Sequence, residues 1–265
     1  MDVILDSLLF FITSLAASIA GAVGGVGSGI MVKPILELAS HLEIIHTMTA
    51  QEISLLSSLA VFTMAFTAFV QRRKNLEGFR FDVAISLAIG STTGGFIGRA
   101  IFDMVGYNLA VAQGVVMIIV MGILLLHQIF ESKITPLKLQ RVPTYIILGT
   151  CLGMIAAFLG IGGGPLNLSS LNFFFSMDLK VAALYSLFVI MFAQGANLGS
   201  WWFRDGGWPN VEPHLIIAVV VGSVLGAIIG ATLYKKMDAK ALKKIYSGVL
   251  IFVILISIVN LMLLP

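Results

Sequence analysis

The sequence predicts an all-α integral membrane protein made of two inverted repeats, each a broken or re-entrant Gly-rich helical segment followed by three transmembrane helices. Three observations predict it: scarce charge, long uncharged gaps, and a match of the chain to itself. Of 265 residues only 29 are charged, 16 Lys and Arg against 13 Asp and Glu, a share of 11% where soluble domains carry about 25%. With 58% apolar residues and a mean hydropathy of +1.03, a water-facing surface cannot be built. A single Cys excludes an internal disulfide scaffold.

The charges bound eight long gaps, 7–32, 53–71, 83–98, 104–130, 142–177, 181–203, 213–234 and 245–265, most of them close to the roughly 17–25 residues that a helix needs to cross hydrocarbon. The runs are continuous rather than alternating, which excludes a β-barrel. Asp2 and Asp6 at the start carry the wrong sign for a cleavable signal peptide, so the first apolar stretch is expected to be retained. Gly25-Val26-Gly27-Ser28-Gly29 lies over Gly160-Ile161-Gly162-Gly163-Gly164 at an offset of 135, and the run Gly90 to Gly98 lies over Gly222 to Gly230 at 132. The chain reads as a duplication, with a first membrane repeat at 1–130, a cytoplasmic linker at 131–142 and a second repeat at 143–265. Such repeats are the usual build of secondary transporters.

Basic loop residues mark the cytoplasmic side. Three clusters carry them: Arg72, Arg73, Lys74 and Arg80; Lys133, Lys138 and Arg141; and Lys235, Lys236, Lys240, Lys243 and Lys244. Eight plain crossings would put the last cluster outside. The conflict vanishes if the first segment of each half returns at its glycines, leaving three crossings per half and two oppositely inserted halves. The 36 uncharged residues from 142 to 177 suit a hairpin broken at Gly160 to Gly164 better than one span.

A broken helix exposes backbone groups and is tolerated in a membrane only when it lines a cavity or is buried in protein. Pro165 fits the first position of a new helix after Gly162-Gly163-Gly164, and Ser28 fits the capping position of its counterpart after Gly27. Two helix N-termini meeting near the midplane would offer free N–H groups and dipole to an oxyanion. No Lys or Arg is read in the middle of any apolar segment, so charge recognition is assigned to Gly27, Ser28, Gly29, Gly162, Gly163 and Gly164 with neutral donors from Asn167 and Asn172. Gln194 and Asn197, three residues apart on one helix face, serve as substrate contacts or as interhelical glue. The Gly90 and Gly222 runs keep four-residue spacing and read as packing faces.

Arg99 attracts an anion at the membrane edge or pairs with Asp103 four residues on. Glu52 and His46 are candidates for coupling, with an interfacial position as the plainer reading. Trp201, Trp202 and Trp208 read as an interfacial aromatic belt, and Cys151 as a packed thiol. A dinucleotide fingerprint at Gly25 to Gly29 lacks the preceding strand, and no Gly-x-x-x-x-Gly-Lys loop is present, so no nucleotide cofactor is expected. Ser28 with His41 and His46 raises an intramembrane hydrolase, but the nucleophile motif is missing, and the chain is read as a non-enzyme. No His, Cys and carboxylate cluster has metal spacing, which leaves a divalent-metal carrier or channel as the weaker alternative. The expected partners are a small anion and the lipid bilayer. Nucleic acid is not expected, and a homo-oligomer is compatible with the sequence.

Gly25-Val26-Gly27-Ser28-Gly29 with Pro34 beyond it, and Gly160-Ile161-Gly162-Gly163-Gly164 in a second half, resemble the TauE/SafE sulfite exporter family, also called the toluene sulfonate uptake permeases. The resemblance covers nearly the whole chain. It implies secondary transport of sulfur-containing anions, such as sulfite, sulfonates or sulfoacetate, across the bacterial inner membrane. The second half departs from the pattern by placing Pro165 directly after its glycines, and Thr49-Ala50-Gln51-Glu52 is more polar than the pattern suggests.

Overall fold

The computed structural model describes residues 3–45, 48–73, 78–105, 109–131, 135–139, 141–204 and 207–263. These residues form α1 (Val3–Gly24), α2 (Gly29–His41), α3 (Ala50–Arg72), α4 (Phe81–Val105), α5 (Leu109–Phe130), α6 (Val142–Leu159), α7 (Gly164–Phe175), α8 (Leu179–Arg204), α9 (Pro213–Lys236) and α10 (Ala239–Met262). Eight of them are long and apolar enough to cross a membrane. The exceptions are α2 and α7, with 13 and 12 residues, each about 20 Å long or less against roughly 30 Å of hydrocarbon. The protein is therefore a multi-pass α-helical membrane protein.

Local chemistry sets the boundaries. At α3 the Thr49 side chain accepts from the Glu52 amide at 3.2 Å while the Glu52 carboxylate accepts from the Thr49 amide at 2.7 Å, a reciprocal capping box. Asp238 caps α10 by accepting from the Ala241 amide at 2.8 Å. Proline occupies the first turn of α6, α7 and α9, where a missing N–H leaves no intrahelical bond unmade.

The two repeated glycine runs end helices in the same way. Gly25 and Gly160 adopt φ of +67° and +68°, and the next residue's amide reaches back five positions, Val26 to the Gly21 carbonyl at 3.1 Å and Ile161 to the Ala156 carbonyl at 3.2 Å. These are left-handed C-caps of the Schellman type, which glycine enters without a Cβ penalty. The offset of 135 residues seen in the sequence thus recurs in the geometry of both breaks.

Small residues let two pairs of helices touch backbone to backbone. Gly222, Gly226 and Gly230 of α9 face the carbonyls of Phe11, Leu15 and Ile19 on α1, and Gly90, Gly94 and Gly98 of α4 face those of Ile146, Thr150 and Met154 on α6. The second seam is glycine-bearing on both sides, since Gly149 and Gly153 of α6 face Leu87 and Ser91. Without a hydrophobic drive between helices in lipid, such close approach is what dispersion needs.

Contacts between helix ends fix which ends share a side. Arg72 lies 3.6 Å over the Tyr234 ring. The Tyr185 hydroxyl accepts from the Arg80 amide at 2.6 Å, Tyr234 donates to the Lys180 carbonyl at 3.2 Å, and Lys243 pairs with Glu131 at 2.5 Å. The described members of the three basic clusters therefore gather at one end, together with the start of α6 and the finish of α7, where Tyr145 packs on Phe175. At the opposite end one cavity joins the start of α1 to those of α3 and α9 through Asp6, Glu52 and Pro213, and another joins the finish of α2 to the starts of α3 and α5 through His41, Ala50 and Ala110. The α1–α2 pair thus leaves and returns at one end, and the α6–α7 pair at the other.

Two expectations about polar and aromatic residues are corrected. Arg72, counted among the basic loop residues, is instead the last residue of α3, buried at 4% exposure, and donates to the Ala22 carbonyl near the end of α1. Trp201 is buried and so belongs to no lipid-facing belt; Trp208 is exposed and donates to the Leu198 carbonyl at 3.1 Å, while the side chain of Trp202 lies outside the described residues. Cys151 faces outward from α6.

Candidate functional site

The two breaks cross in the middle of the bundle. Gly164 meets the Val26 carbonyl so closely that no side chain fits there, and a Cβ at Gly29 would sit 3.0 Å from the Ile161 carbonyl. Ser186 of α8 ties the breaks together, its hydroxyl lying 2.8 Å from the Gly25 carbonyl and 3.3 Å from that of Gly164. Ser57 of α3 donates to the Gly160 carbonyl at 3.3 Å. The first residue of each short helix thus packs against a carbonyl of the other break. Gly27 and Gly162, both at φ +79°, and Gly163 at +76° turn the chain through this crossing.

Ser28 does not cap α2. Its backbone is already helical, with φ −76° and ψ −26°, so the hydroxyl cannot swing to the N2 or N3 amide as it does from an extended residue. Its Oγ is buried and has no hydrogen-bond partner. Asn167 is buried in the first turn of α7, with its amide group about Gly163. Asn172 stands at the far end of α7, where it donates to the Met177 carbonyl at 3.1 Å, two helical turns from the crossing. Gln194 approaches Gly162 and leaves a buried Oε1 without a partner. Asn197 donates to Ser58 of α3 at 3.0 Å, the interhelical role.

Arg99 is not at a water-exposed edge. It is buried at 6% exposure, its guanidinium 4.1 Å over the Trp201 ring, in a small cleft shared with Thr92, Gln194, Asn197 and Ser200. Stacking on an aromatic face offsets part of the desolvation of such a cation. The side chain of Asp103 and the whole of His46 lie outside the described residues. Glu52 is engaged in the capping box of α3 and lines a cavity of about 470 Å3 at the end away from the basic clusters.

With Arg99, a second buried cation overturns the expectation that no cation lies inside an apolar segment. Lys33, in the first half of α2, is 2% exposed. Its ammonium donates to the Leu159 carbonyl at 2.7 Å and to Gln113 Oε1 at 2.8 Å, while Gln113 donates to the Phe158 carbonyl at 2.5 Å. The last carbonyls of α6, at the negative end of its dipole, are therefore held by a buried cation and an amide directly before the Gly160 break. Glu37, one turn on, has a carboxylate oxygen 3.8 Å from the ammonium. A cavity of about 280 Å3 opens over this group. The signal was present as Lys33-Pro34 with Glu37 at i+4, but Lys33 closes the first uncharged gap and so reads as its boundary. The buried serines Ser54, Ser57 and Ser58, which make α3 polar toward both breaks, were likewise hidden among apolar neighbours.

A second cavity, of about 190 Å3, lies at the basic end between α7, α10 and α5, lined by His127, Ser169, Asn172, Lys243 and Tyr246. Tyr246 contacts Ser169 at 2.6 Å and donates to the Pro165 carbonyl at 3.1 Å. This cavity and the one over Lys33 use corresponding elements, α7 with α10 and α5 here and α2 with α5 and α10 there. Among the described residues no His, Cys and carboxylate group is placed to hold a metal ion.

The family model described as Sulfite exporter TauE/SafE matches residues 10–256. Neither the curated proteins nor the solved structures compared with the chain gave a match.

Proposed function

The chain belongs to the TauE/SafE sulfite exporter family and is a membrane transporter, and from that premise we propose that it carries small sulfur-containing oxyanions of the sulfite or sulfonate type as a secondary transporter of the bacterial inner membrane. The observation that carries this reading is the pair of buried cations beside the crossed breaks. Lys33 and Arg99 are both buried, and positive charge in a low-dielectric bundle creates a field that favours an anion, offset in part at Lys33 by the Glu37 carboxylate 3.8 Å away. Gln194, Ser28 and Asn167 supply neutral polar groups at the same crossing. Glycines Gly27, Gly29 and Gly162 to Gly164 let backbone reach it, and Asn197 steadies the α3–α8 wall.

The two halves are inserted with opposite orientation, with the basic clusters in the cytoplasm. Support comes from the gathered basic ends, from the breaks of matching geometry, and from cavities built of corresponding helices at the two ends. With opposed cavities and a closed crossing between them, access alternates by rocking one half against the other.

Uptake of radiolabelled sulfite into vesicles, competed with thiosulfate, sulfoacetate, taurine and divalent metal salts, tests the reading. Sulfite movement insensitive to divalent metals is expected. Metal uptake without sulfite uptake would overturn it in favour of a cation carrier. A thermal-shift screen of purified protein against the same anions and their neutral analogues ranks the substrates, because a ligand that binds only the folded state raises its melting temperature.

A further inference from the structure

Resting on the anion-transport reading, we propose that Lys33 forms an anion-binding site at the floor of the cavity opposite the basic clusters, and that Glu37 is the site's own tethered competitor. An ammonium has three donors and no acceptor. Two are used on Leu159 and Gln113, at 2.7 and 2.8 Å. Among the described residues the third has only the Glu37 carboxylate, which stands 3.8 Å away, beyond hydrogen-bond range. A cation removed from water and left with a loose third partner is a ready receptor for an oxyanion that can approach to contact distance.

The surroundings suit such a ligand. The cavity of about 280 Å3 is lined by Lys33, Glu37, Gln113, His41, Ser257 and Asn260, enough for a compact oxyanion and several waters. Glu37 is the one carboxylate among its described lining residues. At 28% side-chain exposure against 2% for Lys33, it can swing outward where the lysine cannot. His41, one turn further along α2, lines the same cavity. Because Lys33 also holds the end of α6 before Gly160, an anion that draws the ammonium toward the cavity loosens the break itself. The ligand class is a compact oxyanion with one or two negative charges.

Calorimetry on the purified full chain with sulfite as the probe tests this at two salt concentrations. Glu37→Gln, which removes the competing charge and keeps the shape, is expected to bind sulfite about tenfold more tightly. Lys33→Met is expected to weaken binding by about tenfold or more, and Lys33→Met with Glu37→Gln to remain weak. Should the Lys33 variants fail to fold, Glu37→Gln alone decides. An affinity unchanged or reduced in Glu37→Gln, in a wild-type protein that moves sulfite into vesicles, overturns the Lys33 site and leaves the transport reading standing. Wild-type protein that neither binds nor moves sulfite overturns both.

Discussion

Replacing Gly230 by Ala probes the seam that joins α1 to α9. A Cβ built at Gly230 falls 2.6 Å from the Ile19 carbonyl oxygen and 2.8 Å from the Ala22 Cβ. Ordinary contact begins near 3.4 Å, so one helix must retreat by about 0.8 Å. The obstructing atoms are backbone and a methyl carbon, neither of which has a rotamer to yield, and the retreat is shared with the contacts of Gly222 and Gly226 on the same face. Overpacking of this kind costs about 1–3 kcal/mol. Ala also favours helix over Gly by about 1 kcal/mol, which would mask part of the loss. Gly248→Ala in α10 removes that ambiguity, because its Cβ meets nothing within 4 Å and its gain in propensity is the same. Melting of both variants in one detergent should therefore place Gly230→Ala roughly 2–12 °C below Gly248→Ala. Equal melting temperatures would refute the claim that glycine is needed for contact at this seam.

Three further outcomes follow from the same contacts. Ser186→Ala leaves the buried carbonyls of Gly25 and Gly164 without their shared donor and should lower stability by about 1–3 kcal/mol in chemical unfolding; a change below about 0.5 kcal/mol would show that the hydroxyl does not hold the crossing together. Gly163→Ala forces a side chain into φ +76° and to within 2.8 Å of the Ala156 Cβ, so sulfite uptake should be lost, whereas Cys151→Ala on the outward face should transport normally; full uptake by folded Gly163→Ala protein would remove the crossing from the pathway. In a Cys151→Ala background, cysteines at Arg80 and Lys240 should be labelled from the cytoplasmic side and one at Glu212 from the other, and labelling of the first two from opposite sides would sink the opposed-insertion reading.

The membrane class of this protein is legible in its composition, because scarce charge and long apolar gaps are properties that no packing can reverse. The sequence also locates both breaks and both glycine seams, since helix ends and close-packing faces are local and periodic: Gly25 and Gly160 at their C-caps, and Gly90 to Gly98 and Gly222 to Gly230 at four-residue spacing, occupy the positions that pattern alone assigns. The Thr49 to Glu52 capping box was legible on the same grounds, yet the suspicion that attaches to membrane carboxylates drew attention to coupling instead. Which groups meet depends on packing between segments far apart in the chain. Lys33 is 126 residues from the carbonyl it holds and 80 from Gln113, and its burial depends on a helix too short to span, so a residue at the margin of one apolar gap becomes the floor of a cavity. Ser28 and the α7 N-terminus carry the right local chemistry for an anion, but that the Val26 carbonyl packs on Gly164 and the Ile161 carbonyl on Gly29 is set by the crossing of the two breaks. Arg99 looked peripheral by its place in the chain until Trp201 of α8 closed over it. Depth in a folded bundle is set by partners far away in sequence, and hydropathy along one chain does not encode it.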